Sequence, residues 1–166
     1  MDKRYFLILI IIIICCINLS IIVNNSDTVG SASVGIGKYL FSVPEGFSLY
    51  ENNGNSAVIQ NENNTTIYVK ADVSDSDNYL KRLDYIENDT TDIIISKGSF
   101  SIDNISVDAV YYQSTSKVNK STFYFEKDNT PFKISMSGFN YNNDRNLTLD
   151  YVTHIIQSTH LNYKSK

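Results

Sequence analysis

"STFYFEKDNTPFKISMSGF", residues 121–139, is the stretch from which a fold can be built. Phe123 and Phe125 alternate with polar neighbours, Lys127 to Pro131 interrupts, and Phe132, Ile134 and Met136 resume the alternation. Apolar residues at period two mark a strand with one face in a core. The stretch therefore predicts two antiparallel strands joined by a turn over Lys127–Pro131. Working outward, "SFSIDNISV" (99–107) sets Asp103-Asn104 between two short alternating runs, a tight-hairpin signal. "TTIYVKADV" (65–73) puts Ile67, Val69, Ala71 and Val73 on one face and Tyr68, Lys70 and Asp72 on the other. In "FSVPEGF" (41–47), Pro44 suits position i+1 of a type I turn and Gly46 suits i+3, so a reversal is expected between Val43 and Phe47. Ile93–Ser96 and Asp108–Gln113 supply further strand material.

Two segments switch to helical period. In "SDSDNYLKRLDYIEN" (74–88), Tyr79, Leu83 and Ile86 form a stripe with Leu80 beside them, while Lys81, Arg82 and Asp84 face away. Ser74, Asp75 and Asp77 are expected to supply capping oxygens. In "LTLDYVTHIIQSTHL" (147–161), Val152, Ile155, Ile156 and Thr159 make the buried stripe, with Thr148 as the cap. Strands, helix, strands, helix reads as α+β: an antiparallel β-sheet with one or two helices laid on a face.

The N-terminus adds one more element. Lys3 and Arg4 precede an apolar run from Tyr5 to Val23. At 1.5 Å per residue the run reaches about 28 Å, close to the thickness of a bilayer core. Residues 1–23 are accordingly expected to be one transmembrane helix, meeting the lipid bilayer through residues 5–23, with the N-terminus cytoplasmic and the bulk outside. Cleavage as a signal peptide, which would make the protein secreted, is the alternative. Residues 24–38, rich in Gly, Ser and Asn, read as a flexible linker, and 39–166 as the extracytoplasmic domain.

Composition narrows the function. A net charge of −4 argues against nucleic acid as a partner. The two cysteines, Cys15 and Cys16, are adjacent and within the apolar run, so no disulfide staples the domain. "GIGK" (35–38) fails as a phosphate loop, because Ala32 stands where the first glycine belongs and Tyr39 follows Lys38. A calcium loop starting at Asp75 would need Gly and Glu where Leu80 and Ile86 stand.

Asp150, His154 and Ser158 share a side of the last helix at i, i+4, i+8, but that side lies away from the apolar stripe and reads as a solvated face. His160 falls about 240° around the same helix from His154, so the pair cannot share a metal. No catalytic, cofactor or metal residue is assigned. Tyr68, Tyr111, Tyr112, Tyr124 and Tyr141 are candidates for a sugar-stacking surface, though tyrosine is also a favoured strand residue. Asn24, Asn63, Asn64, Asn88, Asn104, Asn119 and Asn146 begin N-x-S/T sequons and are candidate glycosylation sites on an outward-facing chain.

The order and spacing of "FSVPEGFSLY", the helix after "TTIYVKADV", "FSIDNISVDAVYY", "FYFEKDNTPFKISMSG" and "DYVTHIIQST" resemble the PsbP-like family across most of residues 39–162. That family includes extrinsic photosystem II subunits, a Ran-binding nuclear transport factor and membrane-tethered extracytoplasmic microbial proteins. The resemblance implies an antiparallel sheet flanked by two helices and a role in binding or assembly, without implying photosynthesis. It transfers no functional residue. The expectation is a membrane-anchored binding or accessory protein without enzymatic activity, contacting a protein partner in the membrane or envelope. A carbohydrate- or wall-binding module, with a glycan as ligand, is the alternative; a hydrolase is a more distant one.

Overall fold

The structure is a computed structural model, and it describes residues 32–88 and 91–163. Ten strands and two helices follow one another in this part of the chain. The strands are β1 (Ser33–Ile36), β2 (Tyr39–Ser42), β3 (Phe47–Asn52), β4 (Ser56–Asn61), β5 (Thr66–Ala71), β6 (Ile93–Ile102), β7 (Ile105–Gln113), β8 (Asn119–Lys127), β9 (Thr130–Ser137) and β10 (His160–Leu161). Helix α1 (Tyr79–Asn88) lies between β5 and β6, just after a short 3-10 turn (Asp75–Asp77), and α2 (Tyr141–Ser158) follows β9. The anchor expected over residues 1–23, Asn24 and most of the linker lie outside the described residues. Among the described residues no helix is long and apolar enough to cross a membrane.

Seven strands form one antiparallel sheet in the order β3-β4-β5-β9-β8-β7-β6. The two hairpins read from the sequence are at its centre and edge. Asp103-Asn104 and Asp128-Asn129 all have positive φ, the backbone of a two-residue type I′ turn, which short Asx side chains tolerate. The second turn is tighter than expected, and Pro131 sits inside β9 opposite Glu126. It is tolerated there because the Lys127–Thr130 pair closes the hairpin, which leaves the next pair outside the hydrogen-bond ladder to β8. β3 and β4, in an Asn-rich stretch without strong alternation, were not separately legible.

The first turn departs from expectation. The Phe47 N–H bonds the Pro44 carbonyl at 3.1 Å, and Gly46 has φ 80°. The turn thus runs Pro44–Phe47, with glycine at the position that requires positive φ. It makes no hairpin, because β2 belongs to a second, three-stranded sheet in the order β1-β2-β10. β1 itself occupies residues expected to be linker. Val34 and Ile36 are buried and alternate with Ser33 and Gly35, a strand pattern hidden by its small residues.

β7 shows how the layers are arranged. Val107, Ala109 and Tyr111 point into the main core with Phe123, Phe125, Phe132 and Ile134 of β8 and β9. That core is closed by Tyr39 and Phe41 of the small sheet and by Val152, Ile155 and Ile156 of α2. Val110 and Tyr112, the alternate residues, point the other way and pack with Ile86, Tyr79 and Leu83 of α1 and Ile94. The helices therefore cover opposite faces of the large sheet, not one face.

Several details of the helices differ from expectation. α2 starts six residues before the expected region, at Tyr141, where the Asn140 N–H bonds the Asp144 carboxylate at 2.8 Å as a cap. Thr148 is mid-helix and bonds the Asp144 carbonyl. α2 also ends at Ser158, so His160 lies in β10 instead of on the helix. In α1 the cap is Asn78, whose Oδ1 accepts the Lys81 N–H at 3.0 Å, while Ser74 makes no capping bond. Leu80, expected beside the apolar stripe, is 71% exposed.

Candidate functional site

The face of the large sheet under α1 carries the most developed polar chemistry. Strand register aligns Lys70, Lys133, Tyr124, Asp108 and Ser99 in one row across β5, β9, β8, β7 and β6. Asp77 of the 3-10 turn reaches down to this row. Its carboxylate accepts a hydrogen bond from the Lys133 ammonium and pairs with Lys70 at 3.6 Å. This clamp, with the apolar cluster beneath α1, fixes the turn over the sheet.

Arg82, expected to face away, turns inward. Its guanidinium donates to the Tyr112 hydroxyl at 2.6 Å and lies over the rings of Tyr112 and Tyr85 at 5.0 and 5.3 Å. Next to it, Tyr124 meets Tyr79 edge to face at 6.0 Å. The Tyr124 hydroxyl is buried with no hydrogen-bond partner among the described residues. Burial, reinforced by the Asp77 charge, pushes its pKa far above the ordinary tyrosine range. Burial and then Asp108 raise that of Tyr79 as well.

An open cleft of about 330 Å³ lies where the turn leaves the sheet, lined by Asp75, Tyr79, Asp108, Tyr124, Glu126 and Phe132 among others. Asp108 accepts a hydrogen bond from Ser99 at 2.5 Å. Sequence reasoning did not single out Asp108 or Lys133. The available signal was a lone charge within an apolar strand run, "SVDAVYY" and "FKISM". A second groove, of about 480 Å³, lies along β3 and β4 between Gly46 and Glu62. There a bulge in the β3 register releases Tyr50, which is 73% exposed.

The residues singled out from the sequence are dispersed. Asp150 and His154 are exposed on α2; the Ser158 hydroxyl donates to the Ile155 carbonyl and accepts the Ser42 N–H at 3.1 Å, tying α2 to β2. Of the expected sugar-stacking tyrosines, Tyr111, Tyr112 and Tyr124 are buried, so their ring faces are closed to a sugar, and Tyr68 is half-buried. Asn63, Asn64, Asn88, Asn104 and Asn146 are exposed. Asn119 is half-buried, and its amide nitrogen is committed to the Phe139 carbonyl at 3.1 Å. Among the described residues no three His, Cys, Asp or Glu side chains converge on a point that could hold a metal ion.

No protein-family model and no curated protein sequence matches the chain. Among solved structures, the solution structure of cyanobacterial PsbP (CyanoP) from Synechocystis sp. PCC 6803 is similar to it, with a TM-score of 0.52 at 13% identity. The match covers 81% of this chain and 95% of that one. The fold is thus PsbP-like, an α+β architecture of antiparallel strands with two helices. A protein from Bacteroides thetaiotaomicron VPI-5482 is similar at a TM-score of 0.44 and 13% identity, over 78% of this chain and 47% of its own. A Pseudomonas aeruginosa protein of unknown function, described as a putative regulator, is similar at 0.45 and 8% identity, over 74% and 93%. At these values neither extends the statement about fold.

Proposed function

We propose that this is a membrane-anchored, extracytoplasmic binding or accessory protein that works by contact and performs no chemistry of its own. The observation that carries the reading is the cleft beneath the 3-10 turn. It presents carboxylates and the half-buried ring of Tyr79 at an open mouth, an arrangement suited to holding a partner's side chain. The clamp of Asp77 on Lys70 and Lys133 supports the same reading, since it holds the turn in place at the edge of the cleft. Anchoring through residues 5–23 would confine the domain beside its partner and raise the effective concentration, so weak contacts would suffice.

The test is crosslinking in native membranes. The full-length protein is expected to couple reproducibly to one or a few membrane or envelope components, and deletion of residues 1–23 to abolish the coupling while the domain stays folded. Turnover of a substrate by the isolated protein, lost in His154→Ala or Ser158→Ala, would overturn the reading in favour of a hydrolase.

A surface glycan-binding role is the second reading, favoured by the groove along β3 and β4. There the bulged ring of Tyr50 stands beside Gln60, Asn61 and Glu62, the pairing of aromatic face and planar polar groups that suits a sugar. Retention on envelope polysaccharide that Tyr50→Ala abolishes would establish it; retention unchanged by Tyr50→Ala would remove it.

A further inference from the structure

We propose that the cleft beside the 3-10 turn receives a cationic side chain, arginine or lysine, from a partner polypeptide. The proposal rests on the contact reading above and adds the chemistry of the contact.

Charge is the first ground. Asp75, Asp108 and Glu126 line the cleft, and no basic side chain does. None of the three is in an ion pair among the described residues, whereas Asp77 and Glu87 nearby are both paired. Carboxylates gathered at a concave surface without counter-charge repel one another, and a bound cation relieves that repulsion.

Shape is the second ground. Between the carboxylates lies the half-buried ring of Tyr79, which suits the apolar stem of a long basic side chain. The hydroxyl of Tyr124, buried without a partner among the described residues, lies in the wall and offers its oxygen to the charged head. The volume, about 330 Å³, accommodates one such side chain. The carboxylates ring the cleft without converging, as a planar guanidinium or an ammonium on a stem requires and a single metal ion does not. The mouth is built from exposed residues, Ser74, Asp75, Asn78, Ser106 and Glu126, so the ligand's own backbone stays outside. A small molecule is normally enclosed far more completely. Leu80, next in the chain to Tyr79 and 71% exposed, offers an apolar contact for the residues flanking the inserted side chain.

The experiment is an amide-shift titration of the full-length, nitrogen-15-labelled chain in detergent micelles. The probes are the peptide acetyl-Gly-Arg-Gly-amide, its citrulline counterpart of the same shape without charge, and calcium chloride. The arginine peptide is expected to shift the amides of residues 74–79, 106–108 and 124–126, with a Kd of about 1 mM, the range of one isolated side-chain contact. Citrulline, or the exposed-site double change Asp75→Asn with Glu126→Gln, is expected to weaken it by about tenfold, the worth of one charge-assisted contact. Equal binding of citrulline, or shifts confined to other surfaces, overturns the proposal. Calcium binding at the same amides more tightly than the peptide overturns it in favour of a metal. If the peptide fails while native-membrane crosslinks persist, the cleft assignment is wrong and the contact reading stands through another surface.

Discussion

Replacing Ile86 by alanine tests whether α1 is held on the sheet as its packing implies. Ile86 is 1% exposed and packs with Val110, Tyr112, Tyr79, Leu83 and Ile94, apart from the main core. The change removes three carbons from a dry site, worth about 2.4 kcal/mol at about 0.8 kcal/mol per buried methylene, before any cavity cost. Measured costs of such changes run from about 2 to 5 kcal/mol, depending on how far the surroundings close in. Tyr79, Leu83 and Ile94 are only partly buried and free to relax, which places the expected loss near about 3 kcal/mol. Against a typical total of about 5–15 kcal/mol that is a large fraction, and it corresponds to a fall in Tm of roughly 8–12 °C. Leu80→Ala, six residues earlier on the same helix and exposed, is expected to change stability by no more than about 0.5 kcal/mol. Urea unfolding of both variants, followed by far-ultraviolet circular dichroism, reads the difference. Equal, small losses in the two would refute the packing of α1, and with it the position of Tyr79 at the cleft.

Other outcomes follow from single positions. Gly138 has φ 81°, and a Cβ there would lie 2.6 Å from the Asn64 carbonyl oxygen, so Gly138→Ala is expected to cost at least about 2 kcal/mol. Gly46→Ala, with the same sign of φ but nothing within 4 Å, should cost about 1 kcal/mol from backbone strain alone. Tyr124→Phe removes a buried hydroxyl that has no partner, and is expected to be neutral or stabilising by up to about 1 kcal/mol in thermal melts at neutral pH. The same variant carries a pH signature. Because the folded-state pKa is raised, the wild type binds more protons folded than unfolded above the unfolded value near about 10, and stability falls as pH rises past that point. Tyr124→Phe should flatten the fall. Ile155→Asp, at a fully buried position, is expected to unfold the domain, whereas His154→Ala on the exposed side of α2 should be nearly silent in the same melts.

Sequence and structure agree where local and tertiary demands coincide. The β6–β7 and β8–β9 hairpins were legible because apolar alternation ran up to an Asx pair able to hold positive φ. The stripe Val152, Ile155, Ile156 was legible because its partner surface is apolar throughout. β1 was not, since its two buried residues are separated by glycine and surrounded by a composition that reads as linker. The first turns of α2, "YNNDRN", carry no apolar period and are started by the Asn140–Asp144 cap. The assignment of β2 and β3 to different sheets was beyond reach, because a proline-glycine turn fixes a change of direction without choosing the pairing. The cleft was illegible for a related reason. Asp75, Asp108 and Glu126 come from three separate segments, and only the strand register and the 3-10 turn bring them to one mouth.

The most direct test of contact through this face is position-specific photocrosslinking in native membranes. A photoreactive phenylalanine analogue would replace Ser106 at the cleft mouth in one variant and Lys117, in the β7–β8 turn at the other end of the same strand, in another. Capture of the same envelope component from Ser106 in repeated preparations, lost on adding Asp75→Asn with Glu126→Gln and absent from Lys117, is the expected result. Equal capture from both positions, or capture from Ser106 that ignores the loss of the two carboxylates, would contradict it.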